Sequence, residues 1–118
     1  MSYSKNLKMT KIEFFPSFHK KFKKLNKKNR NLLEDIKELV KVLEDDPTNG
    51  VSLGNDIYKI RMANSSKNIG KRGGFRVITY YIDENNIVYL VEIYEKNDIE
   101  SIPLKELIAL INKELSQI

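Results

Sequence analysis

The sequence predicts one α+β domain in which helices pack on one face of an antiparallel sheet. Three observations favour this fold class. Residues 57–63, 73–82 and 87–94 are consecutive segments rich in β-branched and aromatic residues. Residues 30–44 and 103–118 carry apolar residues at helical spacing, before and after those segments. The chain has 118 residues, of which 41% are hydrophobic and 31% charged, and this composition suits a single core.

The N-terminal part of the chain is strongly basic. Residues 1–9 are polar and lysine-rich, so we expect a flexible tail within the single domain 1–118. Residues 10–15 are predicted to form a first strand. Pro16 then suits the first turn of a helix, because its missing N–H is not needed there. The apolar residues of this short helix recur at helical spacing, with lysines on the other side: Phe18, Phe22 and Leu25.

A second helix is predicted from residue 30 to residue 44, where the apolar residues follow the helical period closely. Pro47 disfavours helical geometry in Asp46 and therefore ends this helix. The pair Asn49-Gly50 supplies turn chemistry, and we expect a loop that runs on through Gly54.

Two predicted strands carry the cations that dominate the middle of the chain. Alternation along residues 57–63 places Lys59 and Arg61 on one face of the first strand. The opposite face carries Tyr58, Ile60 and Met62. The next strand, at residues 73–82, brings Arg76 alongside the first two cations.

The connection between these strands, residues 64–73, is too long and polar for a tight hairpin. Gly70, Gly73 and Gly74 allow its backbone to approach a ligand closely, and we expect it to be mobile when empty. A turn at residues 83–86 leads into the third strand of a meander.

Pro103 opens the last predicted helix, which has an apolar stripe along residues 104–118. The predicted sheet thus has one N-terminal strand plus a three-strand meander, with two N-terminal helices and one C-terminal helix. If the helices cover one face, the other face is left for Lys59, Arg61 and Arg76.

Composition narrows the possible functions. Without cysteine, the chain has no disulfide, thiolate nucleophile or cysteine-bound metal. No apolar run approaches the roughly 20 residues of a membrane-spanning helix, so we expect a cytoplasmic protein. The single histidine, His19, lies in the basic first helix and is interpreted as a surface residue.

The net charge of +5 is distributed in blocks. Residues 1–30 carry +9, residues 31–58 carry −5, residues 59–76 carry +6 and residues 77–118 carry −5. Residues 59–76 hold six cations and no acid, including Lys67, in eighteen residues. Such blocks create a positive field that attracts a polyanion such as RNA, although a solvated lysine face explains the first block equally well.

Three strings of residues resemble those of a known toxin superfamily. They are Tyr58-Lys59-Ile60-Arg61, then Gly70-Lys71-Arg72-Gly73-Gly74-Phe75-Arg76-Val77-Ile78, then Val88-Tyr89-Leu90 with Ile93-Tyr94-Glu95-Lys96-Asn97. In this order they resemble the RelE/ParE superfamily, and most closely its HigB-type members. The similarity covers nearly the whole chain and implies the RelE/ParE-like microbial RNase fold.

The resemblance implies the toxin of a type II toxin–antitoxin system, held inactive by a cognate antitoxin. Free toxins of this kind cut messenger RNA in the ribosomal A site, where they also meet ribosomal RNA. Attack of a 2′-hydroxyl on the adjacent phosphate needs only geometry, proton transfer and charge stabilisation, so neither a metal nor another cofactor is expected. We expect the antitoxin segment to be amphipathic, and acidic where it meets the cations.

The resemblance also suggests roles for individual residues. Arg61 and Arg76 are the candidates for clamping the scissile phosphate, because guanidinium matches phosphate oxygens. Lys59 lies where related toxins place a lysine. Neighbouring cations favour the neutral amine, so Lys59 is either a general base or a simple phosphate binder.

The remaining candidate residues lie between Arg61 and Arg76 in the sequence or after them. Lys71 and Arg72, with Lys67, Gly73 and Gly74, are predicted to bind the RNA backbone or to form a solvated loop. Lys96 is predicted to protonate or neutralise the leaving oxygen. Tyr94 is a base-stacking or acid residue, or else a packing residue at a strand end.

Two positions depart from the pattern of the relatives. Several ribosome-dependent relatives carry an arginine directly after the position of Lys96 and a tyrosine in the C-terminal segment, where this chain has Asn97 and Pro103. Two further functions therefore stay open: a ParE-like gyrase inhibitor without enzymatic activity, and an inactive homologue that binds RNA or antitoxin.

Overall fold

A mixed five-stranded sheet forms the centre of the computed structural model, which describes residues 9–96 and 102–118. The elements in chain order are β1 (Lys11–Phe14), α1 (Pro16–Asn26), α2 (Leu32–Asp45), β2 (Val51–Gly54), β3 (Ile57–Met62), β4 (Phe75–Ile82), β5 (Ile87–Glu95) and α3 (Leu104–Leu115). The predicted tail lies almost wholly outside the described residues, as does Asn97. Within the described residues, no helix is long and apolar enough to cross a bilayer.

The strand order is β1-β5-β4-β3-β2. The meander β3-β4-β5 is antiparallel, as predicted. β1, however, runs parallel to β5, with Lys11 opposite Ile87 and Phe14 opposite Leu90, so the prediction of a purely antiparallel sheet was wrong. The physical reason is the long connection between β1 and β5, which includes two helices and lets the chain return in the same direction.

The predicted loop through Gly54 is in fact a short edge strand, β2, paired with β3. Asn55 and Asp56 join the two strands with positive φ angles of 56° and 62°, which is the backbone of a tight hairpin turn. Gly50 enters β2 with φ of 108°, and a Cβ there would lie 2.6 Å from the carbonyl oxygen of Lys59. Only glycine permits that approach. β2 was not predicted because a strand of four residues shows too little alternation of apolar and polar residues.

α1 and α2 pack on one face of the sheet and form the main core with it. This core contains Phe18, Leu25, Leu32, Ile36, Leu39, Leu43, Ile60, Met62, Phe75, Val77, Val88, Leu90 and Ile93. Ile60 and Met62 therefore point towards the helices, as the alternation predicted. α1 begins at Pro16 as expected, whereas α2 begins at Leu32, two residues later than expected.

α3 covers part of the opposite face, which contradicts the expectation that all helices share one face. Its side chains join a second cluster, here named the α3 core: Phe15, Ile57, Ile78, Val91, Tyr94, Leu107 and Ile111. The sheet residues in this cluster are apolar and need cover from water, which the stripe of α3 provides. By alternation, Lys59, Arg61 and Arg76 share this face, at positions outside the cluster.

Candidate functional site

Two arginines stand side by side on adjacent strands. Arg61 of β3 is directly opposite Arg76 of β4, and Arg76 is directly opposite Tyr94 of β5. Lys59 lies two residues along β3 from Arg61, on the same face, and is opposite Ile78. Directly opposed Cβ atoms in an antiparallel pair are about 5 Å apart, and like charges at that distance repel. A bound anion would relieve this repulsion.

No carboxylate neutralises these cations within residues 9–96 and 102–118. The ion pairs of that part of the chain involve Lys11, Lys21, Lys37 and Lys41. Arg61 is exposed and Lys59 is half-buried. The side chains of Arg61 and Lys59 are therefore available to an external anion.

Arg76 makes internal contacts that the sequence did not indicate. Its Nη1 donates hydrogen bonds to the carbonyl oxygens of Lys71 (3.2 Å) and Phe75 (3.3 Å), and its Nη2 donates to that of Arg72 (2.8 Å). Because a guanidinium has five N–H donors, two remain for a ligand. Arg76 thus holds the loop after β3 against β4 and keeps part of its fork free.

The first half of that loop is closed by its own backbone. Asn64 and Ile69 exchange two hydrogen bonds, of 2.8 and 2.9 Å. The buried Asn64 side chain donates to Asn29 Oδ1 at 2.9 Å, and Asn29 donates in turn to the carbonyl oxygen of Leu25. These amides attach the loop to the end of α1.

Two further hydrogen bonds attach the loop to α2. The backbone N–H of Ser65 donates to Asp35 Oδ2 at 3.1 Å, and that of Asn31 donates to Ser66 Oγ at 2.8 Å. Residues 64–69 of the loop are therefore attached to the helices, where buried polar groups find partners, while the mobility of the empty loop stays a prediction.

Gly74 has an internal role, while its predicted contact with a ligand stays a prediction. It is buried, and a Cβ there would overlap the carbonyl oxygen of Met62 and lie 2.9 Å from the backbone nitrogen of Asn64. Its own carbonyl oxygen accepts the backbone N–H of Lys96 at 3.1 Å. Glycine is required here because backbone meets backbone. Gly73 is exposed, and only the side chain of Ile69 lies near its missing Cβ.

Tyr94 is buried in the α3 core, with 2% of its surface exposed. Burial raises the pKa of its hydroxyl, and the charge of Arg76 partly opposes that shift. A ring covered in this way cannot stack on a base. Of the interpretations left open for Tyr94, the structure favours packing.

The other predicted cations lie at the surface around this face. Lys67 is on the short 3₁₀ turn Ser65–Lys67, and Lys71 and Arg72 follow it on the loop. Lys96 is exposed at the end of β5, and its backbone bond to Gly74 places it beside the same loop. The structure therefore brings Lys96 and the loop cations to one end of the sheet.

The sequence matches the model of one protein family over almost its whole length. A model described as the RelE toxin of the RelE/RelB toxin–antitoxin system matches residues 11–117. The chain belongs to the RelE toxin family. The resemblance to the RelE/ParE superfamily is therefore confirmed, while the HigB-type assignment stays a prediction. As a RelE-family toxin, the chain belongs to a system that includes an antitoxin partner.

Solved structures of the E. coli toxin RelE share the fold. A double arginine-to-alanine variant in the free state is 21% identical with a TM-score of 0.56, and the match covers 94% of this chain and 99% of that one. The isolated toxin in a P21 crystal form is 21% identical with a TM-score of 0.52, and the match covers 88% and 97% of the two chains. This likeness confirms the α+β fold class.

Sequence reasoning missed the residues that hold the loop between β3 and β4 in place. Asn29, Asn64 and Asp35 are buried polar side chains that link the helices to the loop. Asparagines after a helix and a strand usually indicate turns, so their spacing gave no sign of mutual contact. His19 is exposed, as predicted.

Proposed function

We propose that this chain is the toxin of a type II toxin–antitoxin system and cleaves messenger RNA in the ribosomal A site. Membership of the RelE toxin family supports this proposal, because the resemblance to that superfamily implies an mRNA-cleaving endoribonuclease. In the proposed reaction a 2′-hydroxyl attacks the adjacent phosphorus, the 5′-oxygen leaves, and a cyclic phosphate results. Such a toxin works in the cytoplasm, where messages are translated.

The observation that carries the proposal is the pairing of Arg61 with Arg76 on neighbouring strands, without a carboxylate partner in the described part of the chain. Two preorganised guanidinium groups suit a phosphate whose charge increases in the transition state. The repulsion between the two arginines is already present in the folded protein. Binding of an anion between them therefore lowers the free energy of the site.

The remaining cations are assigned by their places around this pair. Lys59, on the same strand face as Arg61, is the general base or a phosphate ligand. Lys71, Arg72 and Lys67 bind the RNA backbone or ribosomal RNA from the loop, with Gly73 between them and the sheet. Lys96 neutralises the leaving oxygen. Tyr94 contributes by packing beside Arg76 and has no direct contact with the RNA.

The cognate antitoxin is proposed to neutralise the same cations. An amphipathic segment with acidic side chains would cover the arginine pair and apolar surface together. The HigB-type assignment, which rests on the three strings between Tyr58 and Asn97, is part of the proposal.

The decisive experiment compares Arg61→Ala with the parent chain during inducible expression. Arg61 is the cleaner choice over Arg76, because replacing Arg76 also removes two hydrogen bonds to the loop and one to the carbonyl oxygen of Phe75. We expect the parent to arrest growth and to give in-frame cuts in primer extension. Arg61→Ala should reduce cleavage by about 100-fold, as expected when a transition-state donor is lost.

Lys113→Ala is the matched control, since it removes an exposed cation of α3. It should cut like the parent, and thermal melting should show all three proteins folded. Growth arrest with intact messages and accumulating DNA breaks would favour the gyrase inhibitor. Absence of both effects would indicate an inactive homologue.

A further inference from the structure

A groove of about 250 Å³ lies between α2 and β3, beside the cations. Its apolar floor is formed by Leu39 and Val42 of α2 and by Ile60 and Met62 of β3. β2 pairs with β3 only as far as Lys59, so the groove opens at an uncovered part of the sheet edge. The fold leaves room here for a flat group of the size of one nucleobase.

The rim of the groove combines two kinds of polar group. Arg61, which belongs by alternation to the opposite face of the sheet, lines the groove at the uncovered edge of β3, and it supplies positive charge together with Lys71. Asn49, Glu38 and Asp35 supply oxygen atoms, and Asp35 Oδ2 already accepts the backbone N–H of Ser65. The amide nitrogen of Asn49 donates to Asp46 Oδ2 at 3.0 Å, which leaves its Oδ1 as the acceptor. Among residues 9–96 and 102–118, Glu38 forms only an exposed ion pair, with Lys41, which contributes little to holding its carboxylate.

Val42 is an apolar side chain that the fold leaves 44% exposed on α2. Leu33, on the same helix, is 49% exposed but lies outside this groove. An apolar surface next to two cations and two acceptors matches a nucleotide, whose base has apolar faces, a polar edge and an attached phosphate.

We propose that this groove binds one base of the RNA next to the phosphate held by Arg61. This inference rests on the proposed function and adds a base preference to it. Because Asn49 Oδ1 and the Glu38 carboxylate both accept hydrogen bonds, the groove selects a base with an exocyclic amino group over uracil. Adenine, cytosine and guanine offer an amino group with two N–H donors, whereas uracil offers one imide N–H between two carbonyl oxygens that repel the acceptors of the groove, and an abasic site offers nothing.

The test uses binding of short 2′-O-methyl RNA, which cannot be cleaved through a 2′-hydroxyl. Fluorescence anisotropy would give the Kd of the full chain for labelled hexamers of adenine, cytosine, uracil or abasic units. We expect the parent to bind the adenine and cytosine hexamers about tenfold more tightly than the other two. The ratio of the Kd values is the readout, since changes in protein charge affect all four probes alike.

Val42→Lys fills the groove, and Leu33→Lys adds the same charge to the same helix outside it. We expect the ratio to fall to about one in Val42→Lys and in the double variant Glu38→Ala/Asn49→Ala, and to keep its parental value in Leu33→Lys. Equal Kd values for all four hexamers with the parent would overturn the groove proposal. So would a parental ratio in Val42→Lys. Discrimination between bases by a chain that cuts no message would support the groove and refute the nuclease.

Discussion

Tyr94 stands opposite Arg76 on the next strand, yet its environment is that of a core residue. Its ring packs with Ile78 and Leu107 in the α3 core. A phenol with a pKa raised by burial stays protonated and neutral at physiological pH. Tyr94 contributes to the site by packing β5 in place beside Arg76 of β4.

A packing role predicts different outcomes for two substitutions of Tyr94. Tyr94→Phe keeps the ring, so cleavage should stay within about twofold of the parent, because no proton is transferred by the hydroxyl. Tyr94→Ala should lower the free energy of unfolding by about 3 kcal/mol, the usual cost of an aromatic-to-alanine cavity. Urea unfolding and primer extension measure the two effects. A Phe variant that folds but does not cut would establish Tyr94 as an acid.

The same residue gives stability a dependence on alkaline pH. The pKa of Tyr94 is higher in the folded protein than its ordinary value of 10.0, so the unfolded chain loses this proton first. Its contribution is complete below pH 10.0 and is lost as the pH rises through the folded-state pKa. Tyr94→Phe should therefore lose less stability than the parent between these values.

At the scale of elements, the alternation of apolar and polar residues predicted the strand faces on which the cations lie. It assigned Lys59 and Arg61 to one face and the core residues of β3 to the other, because burial of one face imposes a period of two. It could not give the direction of β1, since parallel and antiparallel neighbours alternate alike. Nor could it reveal the carbonyl contacts of Arg76, which exist only once the loop has folded.

The contribution of the loop's attachment to the helices, both to stability and to cleavage, can be tested by substitution. Asn29→Ala removes the amide that links Leu25 to Asn64 and leaves the buried Asn64 without that partner. We expect a loss of about 2 kcal/mol in the free energy of unfolding, because buried polar groups are costly when unpaired. Cleavage should fall further than stability explains, since Lys71 and Arg72 lose their placement.

Ser66→Ala is the matched control for the loop. It removes one exposed hydrogen bond, from the backbone N–H of Asn31, and should change the free energy of unfolding by less than about 1 kcal/mol. Cleavage by this variant should resemble that of the parent. Equal effects of the two substitutions on cleavage would show that the Asn29–Asn64 pair has no special part in placing the loop.

At the scale of the whole molecule, the first and last helices are joined by a buried carboxylate. Glu114 of α3 is 5% exposed, and its Oε1 accepts the backbone N–H of Ser17 at 2.8 Å. Ser17 lies in the first turn of α1, where N–H groups have no partner within the helix and the macrodipole favours negative charge. α1 has no acidic residue in its own first turn and no side-chain cap at Phe15. Glu114 of α3 therefore supplies the acidic group and the hydrogen-bond acceptor that the first turn of α1 lacks.

This arrangement predicts that Glu114 stabilises two helices at once. Glu114→Ala should lower the free energy of unfolding by about 1–2 kcal/mol, the range for losing a capping group. Glu114→Gln keeps an acceptor but removes the charge, so its loss should be about 0.5–1 kcal/mol. The exposed neighbour Lys113→Ala should stay within about 0.5 kcal/mol of the parent in urea unfolding. Hydrogen exchange at the Ser17 amide should quicken in the order parent, Gln, Ala, because that N–H progressively loses its acceptor. Equal exchange in all three would mean that α3 is held by its apolar stripe alone, and that the carboxylate does not couple the ends of the fold.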